Sequence, residues 1–330
     1  MKVNFSAKTI IYIVVSIFFI FYLIGVYWSF EPDLIDIKAE VTSDATAENV
    51  QPVFGYTTTT TLIRVTETLL DKPGGYLSND ALPPSVFLDN IPSWEFGVLE
   101  MVRDMALVMR QEFSRSQSQS LENQHLKIAH PNLNIDHTSW AMPSSEGEYG
   151  KAIKALYAYR KDLADVNTQS AQFYARADNL RSWLKEVTKR MGSYSQRLSA
   201  SVGRDQLNID LAGDNVAQQS TANASSMELK TSWWKIDNEF YEARGACWAL
   251  LHFLRAIEID FGDVLAKKNA KVSVQQIIRE LEASQQAVWS PMILNGDGFG
   301  ILANHSLVMA NYISRANAAL IDLNELLSQG

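Results

Sequence analysis

The sequence predicts an all-α protein: an N-terminal transmembrane helix followed by an exported multi-helix bundle with long loops. Three observations predict it. Residues 10–28 are apolar throughout, with no charge between Lys8 and Glu31, and a run of roughly 20 such residues matches the hydrocarbon thickness of a bilayer. Two later segments repeat apolar residues at alternating intervals of four and three over eight positions each, which is the seam of packed helices. Strand-like alternation never persists beyond a few residues.

Taken in order, residues 1–9 read as a cytoplasmic N-terminus and 10–30 as the transmembrane helix. Lys2 and Lys8 precede the apolar run, whereas Glu31 and Asp33 follow it, so the positive side stays inside and the bulk of the chain is outside. A cleaved signal peptide shares this layout. It needs small residues before the cut, where this chain has Tyr27, Trp28 and Phe30, rings that suit a membrane interface. The retained anchor is therefore the reading. Residues 31–54 are acidic, aperiodic and poor in large apolar side chains, and read as a linker. Residues 55–330 form the helical domain.

Within that domain, Leu62, Val65 and Leu69 share a helix face, ended by Lys72-Pro73-Gly74-Gly75. A loop dense in Pro, Asn and Asp follows, and Ser93 is placed to cap a helix from Trp94. Val98, Met101, Val102, Met105, Met109 and Phe113 give that helix an apolar face. Residues 114–124 are a polar break, the segment to Ser145 reads as irregular, and a helix is expected from Glu146 to Leu163. The first long seam is Phe173, Ala177, Leu180, Leu184, Val187, Met191, Tyr194 and Leu198. The second is Ile236, Phe240, Ala243, Cys247, Leu250, Leu254, Ile257 and Phe261. Between them, residues 213–232 are small, polar and aperiodic, a flexible crossover. A shorter helix is expected over Ser273–Trp289. A third seam of Leu302, His305, Met309, Tyr312, Ala316, Ala319, Leu323 and Leu326 follows the turn at 294–300.

Composition narrows the partners. The chain has 29 basic and 37 acidic residues. Residues 1–30 hold two of the lysines and no acid, which leaves 27 basic against 37 acidic residues in the rest. Nucleic acid and anionic surfaces need clustered Lys and Arg, so no nucleic-acid partner is expected. The one cysteine, Cys247, forms no intramolecular disulfide and is expected to be buried in its seam.

No GxSxG, HExxH, CxxC or P-loop occurs, and no cofactor is implied. His125, His130 and His137 lie within 13 residues but fit no zinc spacing, so no metal site is expected. His252, Asn304, His305, Asn311 and Arg315 are candidates for a buried polar network that fixes helix register. The acids of the second long helix, Glu239, Glu242, Glu258 and Asp260, read as a salt-bridged face. The turn at 295–300 lacks the strand that a phosphate-binding loop requires. Trp233 and Trp234 are adjacent and cannot both face inward, and exposed aromatics mark contact surfaces.

The stretches YWSFEPD (27–33), GYTTTTTLIRVTETLLDKPGGYLSNDALPPSVFLDNIPSWEFGVL (55–99) and FSRSQSQS (113–120) carry a family likeness. So do QFYARADNLRSWL (172–184), RLSASVG (197–203), FYEARGACWALLHFLRAIEIDF (240–261) and WSPMILNGDGFGILANHSLVMANYISRANAALIDL (289–323). Through these, nearly end to end, the chain resembles an uncharacterised family of Gram-negative inner-membrane proteins known as a domain of unknown function. The resemblance implies one anchor helix in the bacterial inner membrane and a helical periplasmic domain, with no site to carry over. The expected role is a binding or scaffolding component of the cell envelope, with an envelope protein or cell-wall component as partner. Its contact surface is expected at Tyr76, Asp80, Asp89 and Trp94 with Asn295, Asp297 and Phe299, because functional residues favour loops on rigid scaffolds. The rival reading is an envelope hydrolase or a glycan- or lipid-processing enzyme, in which His252 or His305 meets Arg315, Glu239 or Asp260 in an inter-helical cleft. Self-assembly into a homo-oligomer through a leftover heptad seam is a third.

Overall fold

The computed structural model describes residues 6–116, 122–165, 167, 170–207, 226–290, 292–297 and 300–329. Among them are eleven α-helices and a short antiparallel pair of strands. α1 (Ala7–Trp28) is exposed along its length except near its C-terminal end, where Gly25 is buried and Ile24 and Trp28 are half-buried, and it is long and apolar enough to cross a membrane.

Residues 31–54, expected to be a linker, are structured. α2 (Ile37–Glu48) starts at Asp36, whose side chain accepts from the Lys38 and Ala39 amides. Two stripes at four-residue spacing explain its docking. Ile37, Val41 and Ala45 are buried, and Glu40, Asp44 and Glu48 form the neighbouring stripe that meets two arginines. Each stripe is three residues of modest hydropathy, too short to stand out from an acidic background.

α3 (Tyr56–Asp71) buries the threonines Thr57 to Thr61 outright. Burial is tolerated because the hydroxyls find partners: Thr59 donates to the Gly55 carbonyl, Thr61 to that of Thr57, and Thr66 to that of Leu62. α4 (Asn90–Val108) begins earlier than expected. Asp89 occupies the cap position, and Ser93 lies inside the first turn with its hydroxyl on the Asp89 carbonyl. One π turn, Met109–Phe113, extends α4 and keeps Met109 and Phe113 buried. The segment before Ser145, expected to be irregular, contains α5 (Gln124–Leu133), capped by Asn123 and buried through Leu126, Ala129 and Leu133. α6 (Ser145–Ala164) matches expectation.

α7 (Ala177–Ser199) buries its seam from Leu180 to Leu198 and α8 (Ile236–Asp260) from Ile236 to Ile257, while Ala177 at the start of α7 and Phe173 before it are half-buried. Of the 213–232 crossover, Ser226–Leu229 is a strand paired with Arg204–Leu207, and 213–225 lie outside the described residues. α9 (Gly262–Lys267) and α10 (Lys271–Ser284) follow. The last seam is corrected by one position. α11 (His305–Ser328) buries Met309, Ile313, Ala316, Leu320, Leu323 and Leu327, whereas Leu302 precedes the helix and is exposed. The two phases share Met309, Ala316 and Leu323. The one that adds Ile313, Leu320 and Leu327 buries more aliphatic surface than the one that adds Tyr312 and Ala319.

α8 is the axis of the domain, with α3, α4 and α10 packed around it, while α7 and α11 pair alongside. α4 and α8 cross backbone to backbone. A Cβ on Gly97 would lie 1.9 Å from the Glu242 carbonyl oxygen, and one on Gly245 would lie 2.1 Å from that of Trp94. The polar face of α4 is not turned to solvent: Glu100 and Asp104 pair with Arg190 of α7, and Arg103 donates to the Leu133 and Ile135 carbonyls.

Candidate functional site

The expected contact surface is dispersed. Tyr76 and Trp94 are core residues, 4% and 0% exposed. Tyr76 donates to the His137 carbonyl and packs edge-on against Tyr149, while Trp94 stacks against Trp248. Loops usually run over the surface, but the Pro-rich loop that carries Tyr76 folds onto α4, and Trp94 belongs to α4 itself. A buried ion pair, Lys72 with Glu95 at 2.6 Å, holds the loop there, and Glu95 also accepts from the Leu77 and Ser78 amides. Asp80 and Asp89 are exposed. Asn295 is half-buried and donates to the Ser201 carbonyl, Asp297 is exposed, and Phe299 lies outside the described residues.

The expected polar network divides into three places. His252 is fully buried: Nδ1 donates to the Trp248 carbonyl and Nε2 accepts from the Ile35 amide at 2.9 Å. Burial lowers its pKa to about 4, so it is neutral. Asn304 caps α11 and donates to Asn295 and to the Gly296 carbonyl, and His305 Nδ1 accepts from the Leu294 amide. Asn311 is exposed, and Arg315 pairs with Glu280 on the rim. The acids that a hydrolase reading needs are engaged elsewhere: Glu239 with Arg197, and Asp260 with the Thr58 amide and hydroxyl. The three spaced histidines also part, His125 beside Asp162, His130 beside Arg110 and His137 against the Phe96 ring. No group of three potential ligands occurs among the described residues.

A large concavity lies where α1 meets the domain. The C-terminal turns of α1 form one wall of a cleft of about 1210 Å³. The Pro83–Leu88 loop, Tyr241, Arg244 and Trp248 of α8, and residues 285–290 form the others. The junction is built without slack. Gly25 lies against Pro84 and Leu88, and Trp28 lies over Gly74, where a Cβ would come within 2.8 Å of the indole. Gly74 has a φ of +87°, which favours glycine in any case.

Arg244 closes the inner end. Its side chain is 7% exposed; Nε donates to Glu31 at 2.7 Å, and its terminal nitrogens donate to the Ser284, Gln285 and Gln286 carbonyls. Burial raises the Glu31 carboxyl pKa, and the arginine opposes that rise. Trp248 is 2% exposed and its Nε1 has no hydrogen-bond partner. In the sequence Arg244 is set apart from the charged face of α8 only by its place between Ala243 and Gly245, beside the apolar run 245–251.

A model of one protein family, described as uncharacterized proteins conserved in bacteria (DUF2333), matches residues 2–330. The chain belongs to this family. No curated protein and no solved structure gives a match.

Two further buried clusters in this DUF2333 protein are structural. Arg160, 2% exposed, donates to Asp44, Glu48 and the Thr60 hydroxyl and stacks on Tyr56 and Tyr157, tying α2 to α3 and α6. Asp260 reaches the first turn of α3 from 202 residues away and accepts from its amides, which helix starts leave unpaired. Burial pushes its carboxyl up to about 6.

Proposed function

We propose that this protein is a membrane-anchored, non-enzymatic binding or scaffolding component of the bacterial cell envelope. In this reading α1 crosses the inner membrane with its N-terminus in the cytoplasm, and the helical domain works in the periplasm. The observation that carries it is the junction. A signal peptide is made to be cut away, whereas the last turn of α1 is packed into the domain through Gly25 and Trp28, and the next residues are clamped by Arg244 and His252. The lysines before the span and the acids after it support the orientation.

The domain presents aromatic side chains that a partner would cover: Trp140, Trp233, Trp234 and Trp289 are between 65% and 98% exposed. The partner is an envelope protein or a cell-wall component. Crosslinking in intact cells tests the role. Recovery of a specific adduct that is lost when Trp233 and Trp234 are replaced by Ser supports it; recovery of the isolated monomer alone refutes it. A phosphatase reporter after Gly330, active only when exported, tests the topology.

A further inference from the structure

We propose that the cleft at the foot of α1 binds one acyl chain of a bilayer phospholipid. This rests on α1 crossing the membrane. The helix rises about 1.5 Å per residue, so Phe18 lies roughly 15 Å, and Gly25 roughly 5 Å, below Trp28 along the axis. With Trp28 at headgroup level, the α1 wall from Phe18 to Gly25 faces hydrocarbon, and the cleft is continuous with it.

The opposite wall has the character that this depth demands. Pro83, Pro84, Phe87 and Leu88 line it, on the loop that touches Gly25, and Phe87 is 74% exposed. Such a wall costs free energy in water and none in acyl chains. The cleft exceeds the volume of about 300–1000 Å³ that holds drug-sized ligands, and its deeper lining comes from Tyr241, Trp248 and Val288.

The polar end defines which part of a lipid it meets. Arg244 has its donors committed to Glu31 and three carbonyls, so it offers no free charge to a phosphate. With no free charge at that end, nothing in the cleft selects a headgroup, and zwitterionic and anionic phospholipids fill it alike.

The test uses the full chain reconstituted in vesicles of phosphatidylethanolamine and phosphatidylglycerol. A trace of either lipid carries a photoactivatable diazirine on one acyl chain, and labelled peptides are mapped by mass spectrometry. The expected result is label on the domain segments holding Tyr241, Trp248 and Val288 as well as on α1, equal for the two headgroups. Ala287→Trp, at an exposed position on the cleft lining, should lower the domain label roughly tenfold while α1 stays labelled; Val288→Phe serves as a second filling variant. Label confined to α1 overturns the cleft and leaves the anchor standing. A strong preference for one headgroup overturns the reading that the cleft takes the chain and not the headgroup. No label on α1 overturns the anchor itself, and the cleft with it.

Discussion

Replacing Gly245 by alanine isolates the role of the α4–α8 crossing. In an ordinary helix the change stabilises by roughly 1 kcal/mol, because alanine loses less backbone freedom than glycine. At this position the new methyl group would lie 2.1 Å from the Trp94 carbonyl oxygen, and ordinary contact begins near 3.4 Å. The obstacle is backbone, which cannot rotate aside, so α4 and α8 must separate by roughly 1 Å. A gap of about 0.5–1 Å already forfeits a quarter to a half of each dispersion contact. The contacts at stake include Trp94, Val98 and Trp248, all within 2% of full burial. Overpacking costs about 1–3 kcal/mol where side chains can adjust. Against backbone the upper end applies, and the net loss is about 2 kcal/mol.

Gly97→Ala should behave the same way, with its Cβ 1.9 Å from the Glu242 carbonyl oxygen. Gly150 provides the control: it is a mid-helix glycine on α6 whose added Cβ meets nothing within 4 Å. Gly150→Ala should therefore gain about 0.5–1 kcal/mol. Thermal and urea unfolding of the full chain in detergent, followed by circular dichroism at the helical band, reads all three. A loss of about 2 kcal/mol corresponds to roughly 5 °C in Tm for a domain of this size. If Gly245→Ala and Gly150→Ala shift Tm in the same direction, the close crossing is not there.

Other expectations follow from the buried polar groups. Arg160→Met should destabilise by about 2 kcal/mol, because Asp44 and Glu48 lose their buried partner and keep only Arg64 and the Tyr56 hydroxyl; adding Asp44→Asn should cost less than the sum of the two singles, and strict additivity in the unfolding cycle would refute the coupling. Asp260 gives a pH signature. Its carboxyl ionises near 3.8 when unfolded and near 6 when folded, so the folded state holds the extra proton between those values. Stability then falls by about 3 kcal/mol as pH rises through that window, and Asp260→Asn should flatten this slope relative to the parent in urea titrations from pH 4 to 7. Cys247 is buried with its thiol pKa raised to about 12, so an Ellman reagent should react with it only on unfolding; prompt labelling of the native protein would contradict its place in the core.

The parts of the fold that could be read in advance were those with long periodic signals. α7 and α8 carry eight-position seams, and a spacing sustained over that length has one physical solution, a helix packed along its flank. α2 and α5 leave little trace in the sequence because each buries only three apolar positions, and their polar residues look solvated until the partners are known. Asp44 and Glu48 are hidden by Arg160, more than 100 residues away. The seam of α11 shows the complementary limit: two phases share every second residue, and burial of Ile313, Leu320 and Leu327 decides between them. At the cleft, Glu31 and Arg244 are 213 residues apart, and no local pattern joins them. Tyr76 and Trp94 failed as surface residues for a related reason: composition marks a turn but says nothing about what the turn lies against.

The clamp at Glu31 and His252 governs how far the domain can reach. A free tether of the eight residues from Ser29 to Asp36 would let a cargo wander over roughly 27 Å, at any tilt. Here those residues are spoken for: Glu31 is gripped by Arg244 and the Ile35 amide by His252. With α1 held in a bilayer, the helices behind it are mounted as on a bracket, at one height and one heading. Whatever meets this surface must come down to it, and rotation of the span about its own axis would turn the whole domain with it.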